Sequence, residues 1–128
     1  MYEGGIRVPG MLRWPGRIQA GTTSDEPVCG VDLLPSLCEL AGIAAPRDRA
    51  IDGTSFVPVL EGKPIERETP LYWQFNFSRT APKVALRDGD WKILATLTGP
   101  ELPPGANITD EISEAIKTAR PEKFELYN

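Results

Sequence analysis

No histidine occurs in the 128 residues. Imidazole titrates near neutral pH, and hydrolytic triads, most zinc sites and most proton shuttles depend on it. Its absence removes the usual route to a self-sufficient hydrolytic centre and leaves carboxylates, Lys and Tyr as proton carriers. Cysteine is almost as scarce. Cys29 and Cys38 stand nine positions apart, which is no metal-ligand spacing, and two thiols build no disulfide framework. Both read as small buried apolar side chains. No run of Lys or Arg is present, and the net charge is -4. A nucleic-acid binder needs a basic stripe to displace phosphate counterions, so nucleic acid is excluded as a partner. Apolar runs such as residues 93–97 fall far short of the ~20 residues that span a bilayer, and no stretch has the charged-then-apolar layout of a signal peptide. The pattern offers no membrane partner.

What is present suits one compact domain rather than two large ones. Paired glycines, Gly4 and Gly5, open the chain on a turn. Residues 10–14 read as a short buried strand ended by Pro15-Gly16. The clearest helix follows, with Asp32 as N-cap, Pro35 in the first turn and Gly42 as the stop. Its leucines, Leu33, Leu34, Leu37 and Leu40, form a wide apolar stripe that predicts packing on two sides. A short helix capped by Thr54 is expected up to Gly62. Residues 62–70 are polar and rich in breakers, and mark a candidate boundary.

From Leu71 the period changes. Residues 71–77 are aromatic and strand-like. Two further strands, 83–87 and 91–97, flank Asp88-Gly89-Asp90, a tight hairpin signal. On the second of these Trp91, Ile93 and Ala95 form the more apolar set, and Lys92 reads as a solvated strand residue. After a proline-rich loop, Asn107 or Thr109 caps a helix that Pro121 ends. Residues 124–127 alternate as a last strand. Both ends read as cuts in a longer chain.

Several blocks, taken together, carry a resemblance. The octet Tyr2-Glu3-Gly4-Gly5-Ile6-Arg7-Val8-Pro9, followed by Arg13-Trp14-Pro15-Gly16, resembles a signature of the sulfatase family. Asp32-Leu33-Leu34-Pro35-Ser36-Leu37, Ile51-Asp52-Gly53-Thr54-Ser55-Phe56, Arg87-Asp88-Gly89-Asp90-Trp91-Lys92 and Phe124-Glu125-Leu126-Tyr127 resemble later blocks of that family, in the same order. Proteins labelled arylsulfatase or N-acetylgalactosamine-6-sulfatase are the most similar in character. The resemblance implies an α+β chain: a small antiparallel β-sheet with a packed helix, preceded by a strand–helix remnant of the alkaline-phosphatase-like catalytic domain. Residues 1–62 would be the C-terminal end of that domain, and residues 63–128 the small C-terminal domain.

The same resemblance implies what lies elsewhere. Sulfatases cleave sulfate esters with a formylglycine made from a Cys/Ser-X-Pro-X-Arg motif beside a bound calcium. Sulfate transfer needs such a cluster of positive groups to neutralise charge on the equatorial oxygens. Neither Cys29 nor Cys38 is followed by that Pro and Arg. No catalytic residue and no metal ligand is therefore assigned here, and no cofactor in this fragment. Calcium, formylglycine and the catalytic His and Lys residues are expected in the upstream part of a parent enzyme. Asp88 and Asp90 are explained by turn chemistry.

Trp73, Asn76 and Arg79 are the substrate-contact candidates, because aromatic, amide and guanidinium groups suit a sugar ring or an anion. The competing reading places Trp73 and Phe75 in the core and the rest at the surface. Glu3 and Arg7 either reach toward the parent's active site or fix the opening turn by ion pairing. Asn107-Ile108-Thr109 matches a glycosylation acceptor, with helix capping as the alternative. The expected function is that of an inactive C-terminal fragment of a sulfatase acting on a sulfated carbohydrate or aryl sulfate. The alternatives are a stand-alone carbohydrate-binding or structural module, and a fragment of an alkaline-phosphatase-like phosphoester hydrolase. Family members are commonly periplasmic, extracellular or lysosomal. An orphaned first half would expose apolar surface at Met11, Leu12 and Trp14, so self-association is expected.

Overall fold

The structure is a computed structural model that describes residues 1–76, 81–102 and 105–128. In chain order the elements are α1 (Glu3–Ile6), a 3-10 turn (Gly30–Asp32), α2 (Leu33–Ala41), α3 (Val57–Leu60), β1 (Leu71–Phe75), β2 (Lys83–Asp88), β3 (Trp91–Leu97), α4 (Asp110–Thr118) and β4 (Pro121–Tyr127). The class is α+β. Packing divides the chain into two units, Gly10–Thr69 and a second made of Met1–Pro9 with Pro70–Asn128.

In the first unit, α2 forms where the capping and stop signals place it. Gly42 takes the left-handed conformation, φ 68°, that ends a helix without strain. The leucine stripe is not packed on two sides, however. Leu33, Leu34 and Leu37 are exposed, and only Ser36 and Cys38 of the helix are buried. The strand expected over residues 10–14 is also absent: this segment is irregular, and Met11 is 99% exposed. A strand satisfies its backbone only through a neighbouring strand, and this unit supplies none. Trp14 is half-buried with the Arg17 guanidinium over its ring, 5.1 Å from the centroid. The helix expected after Thr54 shrinks to the single turn of α3, with Phe56 rather than Thr54 at its N-cap.

The second unit is an antiparallel meander of order β1-β2-β3-β4. The β2–β3 hairpin turns at Gly89, whose φ of 54° suits a residue without Cβ. Strand alternation fixes two faces. The paired rows Ala85–Leu94 and Arg87–Lys92 lie on one, with Glu125 opposite Leu94 and Tyr127 opposite Lys92. Tyr72, Leu86, Ile93 and Leu126 form a row on the other. Against expectation, the buried members of β3 include Lys92, Leu94 and Leu97, while Trp91 is half-exposed. β4 begins at Pro121, the residue expected only to stop the helix, and is shifted by an irregularity between Leu94 and Thr96. Proline is tolerated there because the first residue of a strand can forgo a ladder bond. Thr109 is the cap of α4: its hydroxyl accepts from the Ile112 N–H.

Candidate functional site

The opening turn and the sheet meet in a cleft of about 580 Å³ lined by, among others, Tyr2, Glu3, Arg7, Arg87, Lys92 and Tyr127. Sheet alternation builds it. Lys83 and Arg87 on β2, Lys92 on β3, and Glu125 and Tyr127 on β4 share the face against which α1 lies. Lys92 is 5% exposed, and its Nζ donates to Glu3 Oε1 at 2.6 Å. Arg87 Nη1 stands 3.7 Å from the other carboxylate oxygen. The hydrogen bond from Lys92 holds the Glu3 carboxyl below its ordinary pKa. Partial burial acts in the opposite sense, and the charges of Lys92, Arg87 and Arg7 add to the lowering.

Tyr2 is held by the same face. Its hydroxyl donates to Glu125 at 3.0 Å, Lys83 Nζ lies 4.9 Å from its ring centroid, and its ring meets that of Tyr127 edge-on at 6.4 Å. Tyr127 in turn donates to Glu125. That bond, above all, pushes the Tyr127 phenol up to about 12.

The Gly10–Thr69 unit has its own buried centre. Asp32 is wholly buried. It does not cap α2; its carboxylate turns back and accepts from the backbone N–H of Cys29 at 2.7 Å and of Thr54 at 2.9 Å. Arg67 closes the cluster as a two-pronged donor, Nη1 and Nη2 each 2.8 Å from one oxygen. Burial alone would raise the Asp32 pKa; the bonds from Arg67, Cys29 and Thr54 outweigh it and bring it below its ordinary value. Ser36 Oγ donates to Asp32 O at 2.6 Å and accepts from the Phe56 N–H at 2.9 Å. Gly53 packs so closely that a Cβ there would sit 2.0 Å from the Val31 carbonyl oxygen. A smaller hollow of about 200 Å³ in the same unit is lined in part by Asp52, Glu66 and Glu68, and three carboxylates repel an anion.

The candidates Trp73 and Asn76 are not brought together. Trp73 is half-buried on β1, on the face opposite Tyr72 and Gln74. Asn76 follows the strand and accepts from Gln74 Nε2 at 3.2 Å. Phe75, read alternatively as core, is 50% exposed. Arg79 lies outside the described residues. Glu3 serves the ion pair, in line with the duller of its two readings. Lys92 is corrected from a solvated residue to a buried one, because alternation places it with Leu94. Arg67 and Arg87 were not singled out in the sequence; the parity of Lys92 was a usable signal, whereas Arg67 in a polar stretch gave none.

Glu3 and Asp32 are each paired with a cation, Lys92 and Arg67 respectively. The residues of these two centres do not fit a calcium ion. Among the described residues no three Cys, Asp or Glu side chains are placed to hold a metal ion, and no buried side-chain N or O is left without a partner. The cysteines do not fit a formylglycine either, since neither begins the motif that is modified.

Residues 1–101 match the family described as N-sulphoglucosamine sulphohydrolase, C-terminal. The chain belongs to that family and so to the sulfatases. It is 32% identical to the ulvan-active sulfatase of Formosa agariphila over 135 residues, covering 97% of this chain and 27% of that protein. Human steryl-sulfatase is 56% identical over 62 residues, 48% of this chain and 11% of that one. The dog N-acetylgalactosamine-6-sulfatase is 38% identical over 73 residues, 57% and 14%. The chain thus spans about a tenth to a quarter of these relatives' length. The same fold occurs in a solved structure of BT4656 in complex with its substrate D-glucosamine-2-N,6-O-disulfate, with a TM-score of 0.59 at 23% identity over 91% of this chain and 20% of the other.

Proposed function

We propose that this chain is the C-terminal portion of a sulfatase that hydrolyses sulfate esters of a sulfated sugar, and that it supplies frame rather than chemistry. One observation carries the reading: family blocks separated in sequence touch through an ion pair of a buried lysine and a hydrogen bond to a buried carboxylate, Glu3 with Lys92 and Asp32 with Thr54. These contacts tie up the very groups that could otherwise react. The sugar preference rests on relatives and a neighbour whose names speak of ulvan, N-acetylgalactosamine 6-sulfate and a disulfated glucosamine. Residues 1–62 would complete the catalytic domain and residues 63–128 would form the small C-terminal domain, with Met1–Pro9 packing on the sheet of the latter. Calcium and formylglycine belong to the upstream part of the parent, and export of the parent to the periplasm, exterior or lysosome is part of the same proposal. Trp73, Asn76 and Arg79 would wall the substrate pocket there.

The test is sulfate release. The isolated chain should release none from 6-sulfated N-acetylgalactosamine, glucosamine sulfates or an aryl sulfate. A longer protein carrying it behind a Cys/Ser-X-Pro-X-Arg motif should release sulfate, and exchanging Asn76 and Arg79 should change its preference among those substrates. Turnover by the isolated chain, or a reading frame upstream that lacks the motif, overturns the proposal. A second reading, a stand-alone carbohydrate-binding module, is favoured by the exposure of Tyr72, whose hydroxyl donates to the amide oxygen of Gln74. Retention of the isolated chain on an immobilised sulfated glycan would support it.

A further inference from the structure

The triplet Asn107-Ile108-Thr109 has the residue types of an acceptor for an N-linked oligosaccharide, and helix capping competes with that reading. The structure gives the cap to one of its two polar residues only. Thr109 is the N-cap of α4, with extended backbone (φ -86°, ψ 170°) and a hydroxyl that accepts from the Ile112 N–H. Asn107 stands two residues before the cap, outside helix and strand, and is exposed. Capping therefore accounts for Thr109 and not for Asn107. Around it Gly105, Ile108 and Asp110 are exposed too, Ile108 by 56%, so a bulky group on Asn107 meets solvent. The loop lies beyond residues 1–101, the stretch that matches the family, and surface loops are where a fold tolerates additions. A second triplet of this kind, Asn76-Phe77-Ser78, is less suited. Asn76 is half-buried at the end of β1, and its amide oxygen accepts from Gln74.

We propose that Asn107 is an N-glycosylation site, an inference that rests on the export of the parent proposed above. In the transfer, the Asn107 amide nitrogen bonds to the anomeric carbon of an oligosaccharide carried on a lipid diphosphate. The anomeric C–O bond breaks, the diphosphate leaves with the electron pair, and the amide proton passes to a base of the transferase. The Thr109 hydroxyl, which the acceptor triplet requires, serves twice. It is open to the transferase while the chain is unfolded, and it takes up the Ile112 N–H once α4 forms. The attached sugar is bulky and solubilising, and it stands next to the exposed Ile108.

The test is the full chain expressed behind a cleavable secretion signal in a eukaryotic cell that glycosylates secreted proteins. The signal supplies the compartment, so a negative result counts against Asn107 and leaves export of the parent a separate question. The chain, whether secreted or retained in the cell, should run as a heavier form. Peptide-N-glycosidase should collapse that form and leave an aspartate in place of Asn107, which peptide mass spectrometry reads. Asn107→Gln should lose the modification while the Thr109 cap, and with it the circular dichroism, stays unchanged. Thr109→Ser should keep the modification, and Thr109→Val should lose it. A chain that carries no glycan would overturn the proposal. A glycan content that Asn107→Gln leaves undiminished would do so too, by placing the sugar at Asn76.

Discussion

Lys92 and Glu3, 89 positions apart, form an ion pair in which the lysine is buried and the carboxylate keeps contact with water. The pair fastens the opening turn to the hairpin. Lys92→Met should lower stability by about 1 kcal/mol, the scale of a pair with one solvated partner. Glu3→Gln should cost a similar amount, and the two together less than their sum. Urea unfolding of the four chains of the double-mutant cycle measures this, and strict additivity would show that the pair contributes nothing.

Asp32 gives a dependence on acid. Its folded pKa lies below the ordinary 3.8, so the unfolded chain takes up the proton first as pH falls. Its stabilisation is therefore complete above about pH 4 and disappears as pH drops through the lowered folded value. Carboxyl NMR should place the midpoint beneath 3.8. Asp32→Asn should flatten the acid limb of the stability curve and cost about 3 kcal/mol at neutral pH, because Arg67 loses its charge partner in a buried setting. A midpoint at or above 3.8 would contradict the geometry.

Gly53 is required for space. A methyl group there meets the Val31 carbonyl at 2.0 Å, and backbone cannot step aside as a flexible side chain can. Gly53→Ala should destabilise the Gly10–Thr69 unit by about 3 kcal/mol, at the upper end for overpacking. It should also loosen the Thr54 N–H from Asp32, visible as faster hydrogen exchange at Thr54. Unchanged exchange together with unchanged stability would exclude the close approach.

Tyr127 should ionise well above the ordinary phenol range. Ultraviolet titration is expected to show one phenol near pH 12, held up first by its bond to Glu125. Glu125→Gln removes the negative acceptor and should return that phenol toward 10.

The sequence determined by itself whatever is encoded locally. Asp88-Gly89-Asp90 specified a hairpin through turn chemistry, Gly42 and Thr109 marked helix ends through capping, and the ordered blocks identified the family. Such signals act within a few residues and need no partner. Tertiary structure decided what depends on a neighbour. Residues 10–14 carry a strand pattern and form no strand, because pairing needs a second strand beside them. Leucines patterned for a core lie open on α2, because an apolar stripe is buried only where something faces it. Lys92 looked solvated because charge is legible in one dimension, while the side of the sheet it occupies, and the carboxylate waiting there, exist only after the strands have paired.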